Sequence, residues 1–428
     1  MDFFGYRDGH LFAEDVPVGQ IAGEVGTPCY VYSEATLRRH YKIVRDAFAA
    51  VDHLVCYSVK ANSSLAILKL LKDEGSGFDI VSGGELYRAL KIGADPAKIV
   101  YAGVGKTAAE IEFALTAGIL MFNVESEAEL AAIDAVAASL RKTAPVSLRL
   151  NPNVDAKTGH VYTTTGKKGN KFGIDIESAG KLAASLGGAY PHVRLVGLDM
   201  HLGSPITMVD PYVAGLKRVL ALLARLRKNG VNVQYLDIGG GFGIEYKGGE
   251  TATPADYAAA ILPLVADSGC TLIMEPGRLV VGNSGILLAR VLYLKKSGPK
   301  NFVIVDAAMN DLIRPALYDS FHKIWPARTD KPLSQCLTAG PRTRGYFEAD
   351  VVGPVCESGD FLARGRVLPR VQQGDLLCVF SAGAYGMSMS SNYNSRPRAA
   401  EVMVSGSQFR IIRERETYEG LARSEHDC

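Results

Sequence analysis

The sequence predicts an α/β protein with a (β/α)8 TIM-like barrel and a second, β-rich domain. Between about residues 34 and 284, eight short apolar runs alternate with amphipathic segments, which is typical of parallel βαβ units. After about residue 285, further apolar runs follow one another without helical patterns between them. We therefore expect a barrel over residues 34–284 and a β-rich domain made of residues 1–33 and 285–428. An open, doubly wound sheet is the alternative to a closed barrel.

The barrel strands are predicted from apolar and β-branched runs of four to eight residues. These runs are 53–59, 78–82, 98–104, 120–126, 146–150, 193–200, 233–238 and 271–274. Helical spacing of apolar residues predicts helices between them, for example over 64–73 and 213–229. The pairs Ser82–Glu85, Thr107–Glu110 and Ser126–Glu129 have the spacing of capping boxes and mark helix starts. The glycines at 93, 118 and 230 lie where such helices should end.

The predicted β-rich domain is read from runs that lack intervening helices. They are 287–294, 302–306, 376–381, 400–404 and 409–413. The segment 28–32 precedes the first barrel helix and is able to join these strands. Residues 326–349 are polar and contain proline and glycine, so we expect a surface insertion there.

Composition excludes several classes of protein. The chain of 428 residues carries 47 basic and 45 acidic side chains, which leaves no electrostatic footprint for nucleic acid or anionic lipid. The seven cysteines are odd in number, widely spaced and form no C-x-x-C pair, so we expect neither a disulfide framework nor a metal site. We find no signal-peptide core and no apolar run long enough for a membrane. A soluble, cytoplasmic protein is expected.

Two glycine-rich segments resemble nucleotide-binding motifs but do not match them. Gly103–Thr107 reads GVGKT, yet a P-loop requires a glycine at position 100, where the chain has Val100. Gly239–Gly243 reads GGGFG, but the third glycine of a dinucleotide fingerprint is absent. Neither segment predicts a nucleotide site.

Polar residues cluster just after or near the ends of the predicted barrel strands. They are Lys60, Asp79, Ser82, Asn151, His201, Ser204, Gly239–Gly241 and Glu275–Arg278. In a (β/α)8 barrel the carboxyl ends of the strands form one rim, where active sites lie. Several strands that converge on one rim are a stronger signal than any single motif.

Each of these residues has an ordinary and a functional interpretation. Lys60 is either a paired surface lysine or a desolvated amine able to form a Schiff base. His201 is either a core histidine or a flat ring that stacks on a cofactor. The three glycines from 239 to 241 form either a tight turn or a phosphate cradle. Glu275 and Arg278 are either an ion pair, or a carboxylate for a ring nitrogen and a cation for an anion. Together the functional interpretations describe a site for pyridoxal 5′-phosphate (PLP).

The sequence resembles a known enzyme family over about residues 25 to 405. The motifs YSVKAN, DMHLGS, LDIGGGFG and MEPGR are similar to those of the alanine racemase/ornithine decarboxylase group of PLP enzymes. The stretches RLNPNVDAKTGH, KFGI and SAGAYGMSMSSNYNSRPR resemble a narrower set of enzymes within this group. The most specific pair is RPALY at 314–318 with CESGD at 356–360, which resembles the diaminopimelate decarboxylase family.

The resemblance implies a set of cofactor contacts. Lys60 would hold PLP covalently, His201 would stack on its ring and Glu275 would face the pyridine nitrogen. The full set implied for the cofactor is Lys60, Asp79, His201, Ser204, Gly241, Glu275, Pro276, Gly277, Arg278 and Tyr385.

The resemblance also implies the reaction, which is decarboxylation of meso-2,6-diaminopimelate to L-lysine. Cys356 would be the acid that protonates the reacting carbon. The residues implied for the substrate are Arg278, Arg314 and Tyr318 for the distal carboxylate, Glu357 for the distal ammonium, and Tyr385. In the family, the residues equivalent to Cys356 and Glu357 come from the neighbouring subunit, which implies a homodimer with shared active sites. Two alternatives stay open: a related decarboxylase of D-lysine, D-ornithine or another basic amino acid, and a non-catalytic PLP-binding protein.

Overall fold

The computed structural model describes residues 3–155 and 170–426, and it divides the chain into two compact units. The barrel unit comprises His40–Ile244 and Glu250–Leu279. The β-rich unit comprises Met1–Arg39, Glu245–Gly249 and Val280–Cys428. The sequence places the two divisions after residues 33 and 284, and it does not anticipate that Glu245–Gly249 belongs with the β-rich unit. Within the described ranges, none of the helices has both the length and the apolar character that a membrane span requires.

The amino-terminal segment contributes to the β-rich unit. Its elements are β1 (Phe4–Arg7), β2 (His10–Ala13), β3 (Val16–Pro17), α1 (Val18–Val25), β4 (Cys29–Ser33) and α2 (Glu34–Ala47). Strands β1 to β3 form a small antiparallel sheet that the sequence does not predict, because runs of two to four residues carry too little periodicity.

Eight parallel strands form the barrel, with a short ninth strand at its edge. They are β5 (His53–Ser58), β6 (Gly77–Ile80), β7 (Ile99–Tyr101), β8 (Met121–Val124), β9 (Ala144–Asn151), the short β10 (Ile174–Asp175), β11 (Val193–Met200), β12 (Tyr235–Asp237) and β13 (Thr271–Met274). Strand β13 pairs with β5, and β8 pairs with β9, so the sheet closes. The predicted barrel is confirmed, and the open-sheet alternative is excluded.

Helices connect the barrel strands at the positions that the amphipathic segments predict. They are α3 (Leu65–Asp73), α4 (Gly83–Lys91), α5 (Ala108–Ala117), α6 (Glu127–Ser139), α7 (Ile176–Ala189), α8 (Asp210–Lys228), α9 (Pro254–Val265) and the short α10 (Arg278–Val281). Thr107 and Glu110 form a complete capping box at the start of α5. Ser82 and Ser126 also cap their helices, but Glu85 and Glu129 accept from the N–H one residue earlier, at Val81 and Glu125.

The barrel interior is filled by apolar side chains from several strands. Cys56, Val100, Met121, Val196 and Ile273 form a buried cluster between them. This packing leaves the carboxyl-end rim for polar side chains, as in other barrels of this type.

The β-rich unit is built around one large sheet. Its remaining strands are β14 (Gly285–Ser297), β15 (Lys300–Val305), β16 (Ile324–Pro326), β17 (Tyr346–Val352), β18 (Phe361–Pro369), β19 (Leu376–Val379), β20 (Ala400–Ser405) and β21 (Gln408–Arg413). The order is β18-β17-β15-β14-β4-β20-β21, and β19 pairs with β14 and β16. Strand β4 therefore joins this sheet, as its sequence allowed. Two short helices are α11 (Arg314–Tyr318) and α12 (Tyr418–Ala422).

The predicted surface insertion at 326–349 is wrong at both of its ends. Its first residue ends β16, in which Trp325 is fully buried and donates a hydrogen bond to the carbonyl of Lys331 at 3.0 Å. Its last residues belong to β17, where Tyr346 and Ala349 are buried. Polar residues dominate the stretch between β16 and β17, so the sequence predicts one polar insertion. The two short strands that bound it are recognised only from their pairing in the sheet.

Candidate active site

Lys60 lies at the carboxyl end of β5, in a single 3-10 turn over Val59–Ala61. Its Nζ is 2.8 Å from Oδ2 of Asp79, which projects from β6 and is fully buried. Ser58 donates a second hydrogen bond to the same oxygen at 2.5 Å. The Lys60 side chain keeps 35% of its surface exposed, so its amine is anchored at one side and accessible at the other.

Glu275 follows β13 and lies in a cluster of buried carboxylates. Oxygen atoms of Glu275, Asp237 and Asp199 lie within 4.8 Å of one another. Asn123 on β8 donates to Glu275 at 3.3 Å and to Asp237 at 3.4 Å. Burial, and then the charge of Asp237, raises the pKa of Glu275 well above its usual range. Burial raises the pKa of Asp237 to about 6. Burial therefore favours the protonated forms of the carboxyl groups in this cluster.

His201, directly after β11, is neutral. The backbone N–H of Gly240 donates to its Nδ1 at 3.2 Å, so Nδ1 carries a lone pair and the proton lies on Nε2. Burial, and then the charge of Arg149, lowers the pKa of His201 well below its usual value. The 4.0 Å distance from Nδ1 to Oε2 of Glu275 is thus not an ion pair, and the imidazole presents an uncharged face.

In the glycine turn after β12, the backbone packs closely against the backbone of two other segments. A side chain on Gly240 would overlap with the carbonyl of Glu275, and one on Gly241 would overlap with the carbonyl of Gly203. Gly241 also has a φ of 98°, which L-residues with side chains rarely adopt. Tyr212 on α8 donates to the carbonyl of Gly240 at 2.5 Å and fixes the turn.

Arg278 and Ser204 lie at the same rim. Nε of Arg278, which is buried, is 3.3 Å from Oγ of Ser204. Gly277 packs with its Cα facing Ser58 and Ala61, where a Cβ would approach their side chains to 3.0 and 2.9 Å. Pro276 accepts from the N–H of Ser58 at 3.3 Å. The segment 275–278 is therefore tied to the turn that carries Lys60.

A cavity of about 440 Å³ opens at this rim within the barrel unit. It is lined by Lys60, Val81, Ala102, Gly103, Val104, Gly105, Glu110, Arg149, Lys171, Phe172 and His201. Its wall is stabilised by Arg149 on β9, whose guanidinium is 2.5 Å from Glu125 and lies 5.0 Å from the ring centroid of Phe172. Lys106, from the rejected P-loop-like segment, is buried and is 2.7 Å from Glu129. Its role is structural.

The other predicted residues lie in the β-rich unit. Arg314 and Tyr318 are the first and last residues of α11. Cys356 and Glu357 are exposed on the loop between β17 and β18. Tyr385 follows β19, is partly buried and has a φ of 56°.

The loop that carries Cys356 and Glu357 is held by side chains on either side. The N–H of Cys356 donates to Oδ1 of Asn394 at 2.9 Å, and Tyr393 donates to Glu357 at 3.0 Å. Buried Asp360 accepts from the N–H groups of Val355 and Met309, both at 2.7 Å. The side chains of Cys356 and Glu357 are thus exposed on a loop whose backbone is held by hydrogen bonds.

The barrel rim fits PLP in its donor set. PLP offers an aldehyde carbon, a pyridine nitrogen and a phosphate. Lys60 would provide the amine, and Ser204, Arg278 and the turn at Gly241 would provide donors for the phosphate. Among the described residues, Asp79 Oδ1, Asn123 Oδ1 and Asp199 Oδ1 are buried without a hydrogen-bond partner. This excess of acceptors around Glu275 suits a ligand that brings a protonated ring nitrogen.

Sequence reasoning missed four polar residues of this site: Asn123, Arg149, Asp199 and Asp237. Each is buried in a barrel strand near its carboxyl end. A polar residue within the last three positions of a predicted barrel strand is a signal that could have found Arg149, Asp199 and Asp237. Asn123 lies in the middle of its predicted strand, 120–126, so this signal does not find it.

Comparisons with known proteins agree with this geometry. The family model described as "pyridoxal-dependent decarboxylase, pyridoxal binding domain" matches residues 34–282. The diaminopimelate decarboxylase of Pseudomonas aeruginosa is 48% identical over 425 residues, and the match covers 99% of each chain.

Two solved structures are similar over nearly the whole chain. One is diaminopimelate decarboxylase from Helicobacter pylori complexed with L-lysine, with a TM-score of 0.89, 40% identity, and coverage of 95% of this chain and 99% of that one. The other is diaminopimelate decarboxylase from M. jannaschii in co-complex with L-lysine, with a TM-score of 0.92, 36% identity, and coverage of 100% and 98%.

Proposed function

The chain belongs to the pyridoxal-dependent decarboxylases and, among them, to the diaminopimelate decarboxylases, and from this membership we propose how its residues convert meso-2,6-diaminopimelate into L-lysine and CO2. The observation that carries the function is the likeness over 99% of both chains, which includes the β-rich unit with RPALY and CESGD. A non-catalytic protein built from the barrel alone would not require that unit. The reaction forms lysine, so the protein acts in lysine biosynthesis.

The cofactor is PLP, and the barrel rim would hold it. Lys60 would bind the aldehyde carbon of PLP, and Asp79 would orient the Lys60 amine. The uncharged face of His201 would lie against the ring, and Glu275 would hold a proton at the pyridine nitrogen. Ser204, Gly241 and the segment Pro276–Arg278 would bind the phosphate. When bound, PLP supplies a sink for the electron pair that remains when CO2 leaves.

Cys356 provides the proton that replaces the lost carboxylate. The bond between the reacting carbon and the carboxylate breaks, CO2 departs, and the Sγ–H of Cys356 transfers its proton to that carbon. The hydrogen bond from the Cys356 N–H to Asn394 orients the loop for this transfer. Tyr385 would contact both cofactor and substrate.

Recognition of diaminopimelate requires opposite charges for its far end. That end carries a carboxylate and an ammonium, and burying either without a partner disfavours binding. Arg314 offers a planar guanidinium that suits a carboxylate, and Arg278 and Tyr318 would share this role. Glu357 offers an acceptor for the ammonium.

The active sites are shared between two copies of the chain. Cys356 and Glu357 are exposed on their loop, where a second copy can reach them. A homodimer with two-fold symmetry would place the loop of each copy in the site of the other, so that each chain completes two sites.

The function is tested by measuring CO2 release from a panel of amino acids. We expect efficient turnover of meso-diaminopimelate and poor turnover of D-lysine and D-ornithine, which lack the distal carboxylate. If D-lysine were turned over as well as diaminopimelate, a broader decarboxylase would replace this assignment. If the PLP-loaded protein released no CO2 from any of them, a non-catalytic role would replace it.

A further inference from the structure

Two successive residues of one turn contact the two successive residues Cys356 and Glu357. The hydroxyl of Tyr393 donates to Oε2 of Glu357 at 3.0 Å. The next residue, Asn394, accepts from the N–H of Cys356 at 2.9 Å. All four residues are exposed and lie in the β-rich unit. One short turn therefore holds both the backbone of the loop and one of its charged side chains.

This turn has an uncommon backbone conformation. It is a 3-10 turn over Tyr393–Ser395, in which Asn394 has a φ of 56° and Ser395 a φ of 53°. Asparagine adopts this left-handed region more readily than most residues do, but two such residues in succession are uncommon unless the surrounding structure holds them. Strained backbone is concentrated at functional sites, which favours a function for this exposed turn.

Asn310 anchors the turn on both sides. Its side-chain amide donates to the carbonyl of Ser391 at 3.3 Å and accepts from Nε of Arg396 at 3.0 Å. The N–H of Ser391 donates in return to the carbonyl of Asn310 at 2.9 Å. Because Asn310 is almost fully buried, the residues before and after the turn are tied to the core of the β-rich unit.

The Glu357 carboxylate is directed by a neutral donor. Oε2 accepts from Tyr393, and Oε1 lies over Gly359, where a Cβ would come within 2.9 Å. Glu357, first through the hydrogen bond and then through its charge, raises the pKa of the Tyr393 hydroxyl above its usual value, so the phenol keeps its proton. A phenol orients a carboxylate without balancing its charge. Since a carboxylate has about four acceptor positions, Glu357 can still accept from an ammonium group.

We propose that Tyr393 is a positioning residue that selects substrates with a distal ammonium, by holding the Glu357 carboxylate in the direction in which it binds that group. The inference rests on the proposed function, in which Glu357 binds the distal ammonium. A glutamate side chain loses rotamer freedom when it binds a ligand, and the hydrogen bond from Tyr393 meets part of that cost before the substrate arrives. Specificity is thus assigned in part to a residue that does not itself contact the substrate.

Tyr393→Phe removes the hydroxyl and keeps the ring, so the fold should be unchanged. In the PLP-loaded variant, the KM for meso-diaminopimelate should rise about 3- to 10-fold with little change in kcat, because the lost interaction concerns binding of the far end of the substrate. Tyr418→Phe is the matched control. Tyr418 begins α12 in the same unit and is highly exposed, so loss of its hydroxyl should change neither constant.

Calorimetric binding of two ligands to the PLP-loaded protein tests the same point without turnover. L-lysine has the ammonium that Glu357 would bind, whereas 6-aminohexanoate lacks it and keeps the carboxylate and the terminal amine. In Tyr393→Phe the Kd for L-lysine should rise by about the same 3- to 10-fold, and the Kd for 6-aminohexanoate should stay unchanged. Added to Glu357→Ala, Tyr393→Phe should have no further effect on the Kd for L-lysine, because its role depends on the carboxylate.

Four outcomes would overturn the proposal. They are an unchanged KM in Tyr393→Phe, an equal loss of affinity for both ligands, a full further loss when Tyr393→Phe is added to Glu357→Ala, and a loss of the same size in Tyr418→Phe. The proposed function fails on a different result. A wild type that releases no CO2 from diaminopimelate, but whose preference for L-lysine over 6-aminohexanoate falls in Tyr393→Phe, would refute the function alone.

Discussion

At the scale of single residues, the site depends on how burial sets charge. Asp79 is fully buried beneath Lys60, while the lysine remains partly exposed. Glu275 and Asp237 share Asn123 as a donor and lie where burial raises the pKa of both carboxyls. His201 accepts from a backbone N–H and stays neutral. These states suit a ligand that brings its own positive charge to Glu275 and its own anion to Arg278.

Lys60 should be the residue that carries the cofactor. Its amine is at the cavity and is oriented by Asp79. Lys106 is buried against Glu129, and Lys171, which also lines the cavity, lies against the ring of Phe172. Borohydride reduction of the PLP-loaded protein, followed by peptide mapping, should place the pyridoxyl group on Lys60. A label on Lys106 or any other lysine would contradict the assignment.

Arg314→Ala should remove most of the activity on diaminopimelate while PLP absorbance stays intact. Loss of one partner of a buried charge pair costs about 2–5 kcal/mol, or roughly 30- to several-thousand-fold in kcat/KM. The low activity on D-lysine should change far less. Arg410→Ala is the matched control, because the Arg410 side chain on β21 is 60% exposed. Equal losses on both substrates would argue against a role in binding the distal carboxylate.

Glu85 should make stability depend on pH near neutrality. Burial raises the pKa of Glu85 to about 7, compared with about 4.3 in an unfolded chain. Between these values the folded protein retains a proton that the unfolded chain has lost, so stability falls as the pH rises from about 4 to 7 and changes no further above that.

Glu85→Gln removes this titration and keeps an acceptor for the Val81 N–H, which the native carboxylate binds at 2.8 Å. Denaturant unfolding measures the free energy of unfolding at pH 5 and pH 8. Its decrease between these two pH values should be smaller in the variant than in the wild type, by on the order of 1–3 kcal/mol. Glu112→Gln, at an exposed position of α5, should leave the loss unchanged. An identical pH dependence in Glu85→Gln would show that Glu85 ionises normally in the folded state.

At the scale of elements, short turns hold the rim together. The glycine turn after β12 lies against the backbone of Glu275, and Tyr212 on α8 fixes it. The 3-10 turn with Lys60 packs against Gly277, where a Cβ would come within 2.9 Å of the Ala61 side chain. Close backbone approach aligns groups from several strands, and it leaves no room for a Cβ atom.

Gly240→Ala should destabilise the barrel and weaken cofactor binding. The added methyl group would overlap with the Glu275 carbonyl, so the turn or the strand end must shift, at a cost of about 1–3 kcal/mol or more. Thermal unfolding and PLP titration measure the two effects. The control is Gly187→Ala on α7, where a Cβ meets nothing within 4 Å. The Tm of this variant should be unchanged or slightly higher. Equal behaviour of both variants would refute the packing argument.

At the scale of the whole molecule, the residues proposed for the site come from two units of the chain. The barrel unit carries Lys60, His201 and Glu275, and the β-rich unit carries Arg314, Cys356 and Glu357. The exposed position of Cys356 on an ordered loop favours its use by a second copy.

Mixing two inactive variants should restore activity if the sites are shared. In a mixed dimer of Lys60→Ala and Cys356→Ala, one site has both substitutions and the other has neither. Random exchange should therefore recover about a quarter of wild-type activity. Each variant alone is the control, and subunit exchange is checked by native mass spectrometry. No recovery despite exchange would place Lys60 and Cys356 in the site of one chain.

The sequence by itself determined the barrel strands and the residues at their ends. Apolar runs and helical patterns are local, so the eight strands, the caps at Thr107 and Ser126, and the polar positions Lys60, His201 and Glu275 could be predicted directly. The resemblance carried by RPALY and CESGD added the cofactor and the reaction.

Only the tertiary structure decided how those residues behave. Closure of the barrel brings β8, β12 and β13 together, and that contact makes Asn123, Asp237 and Glu275 one cluster. The neutral form of His201 is set by its burial and by a backbone N–H that is distant in the chain. Burial and hydrogen-bond direction arise from packing between remote segments, and local sequence patterns carry no record of either.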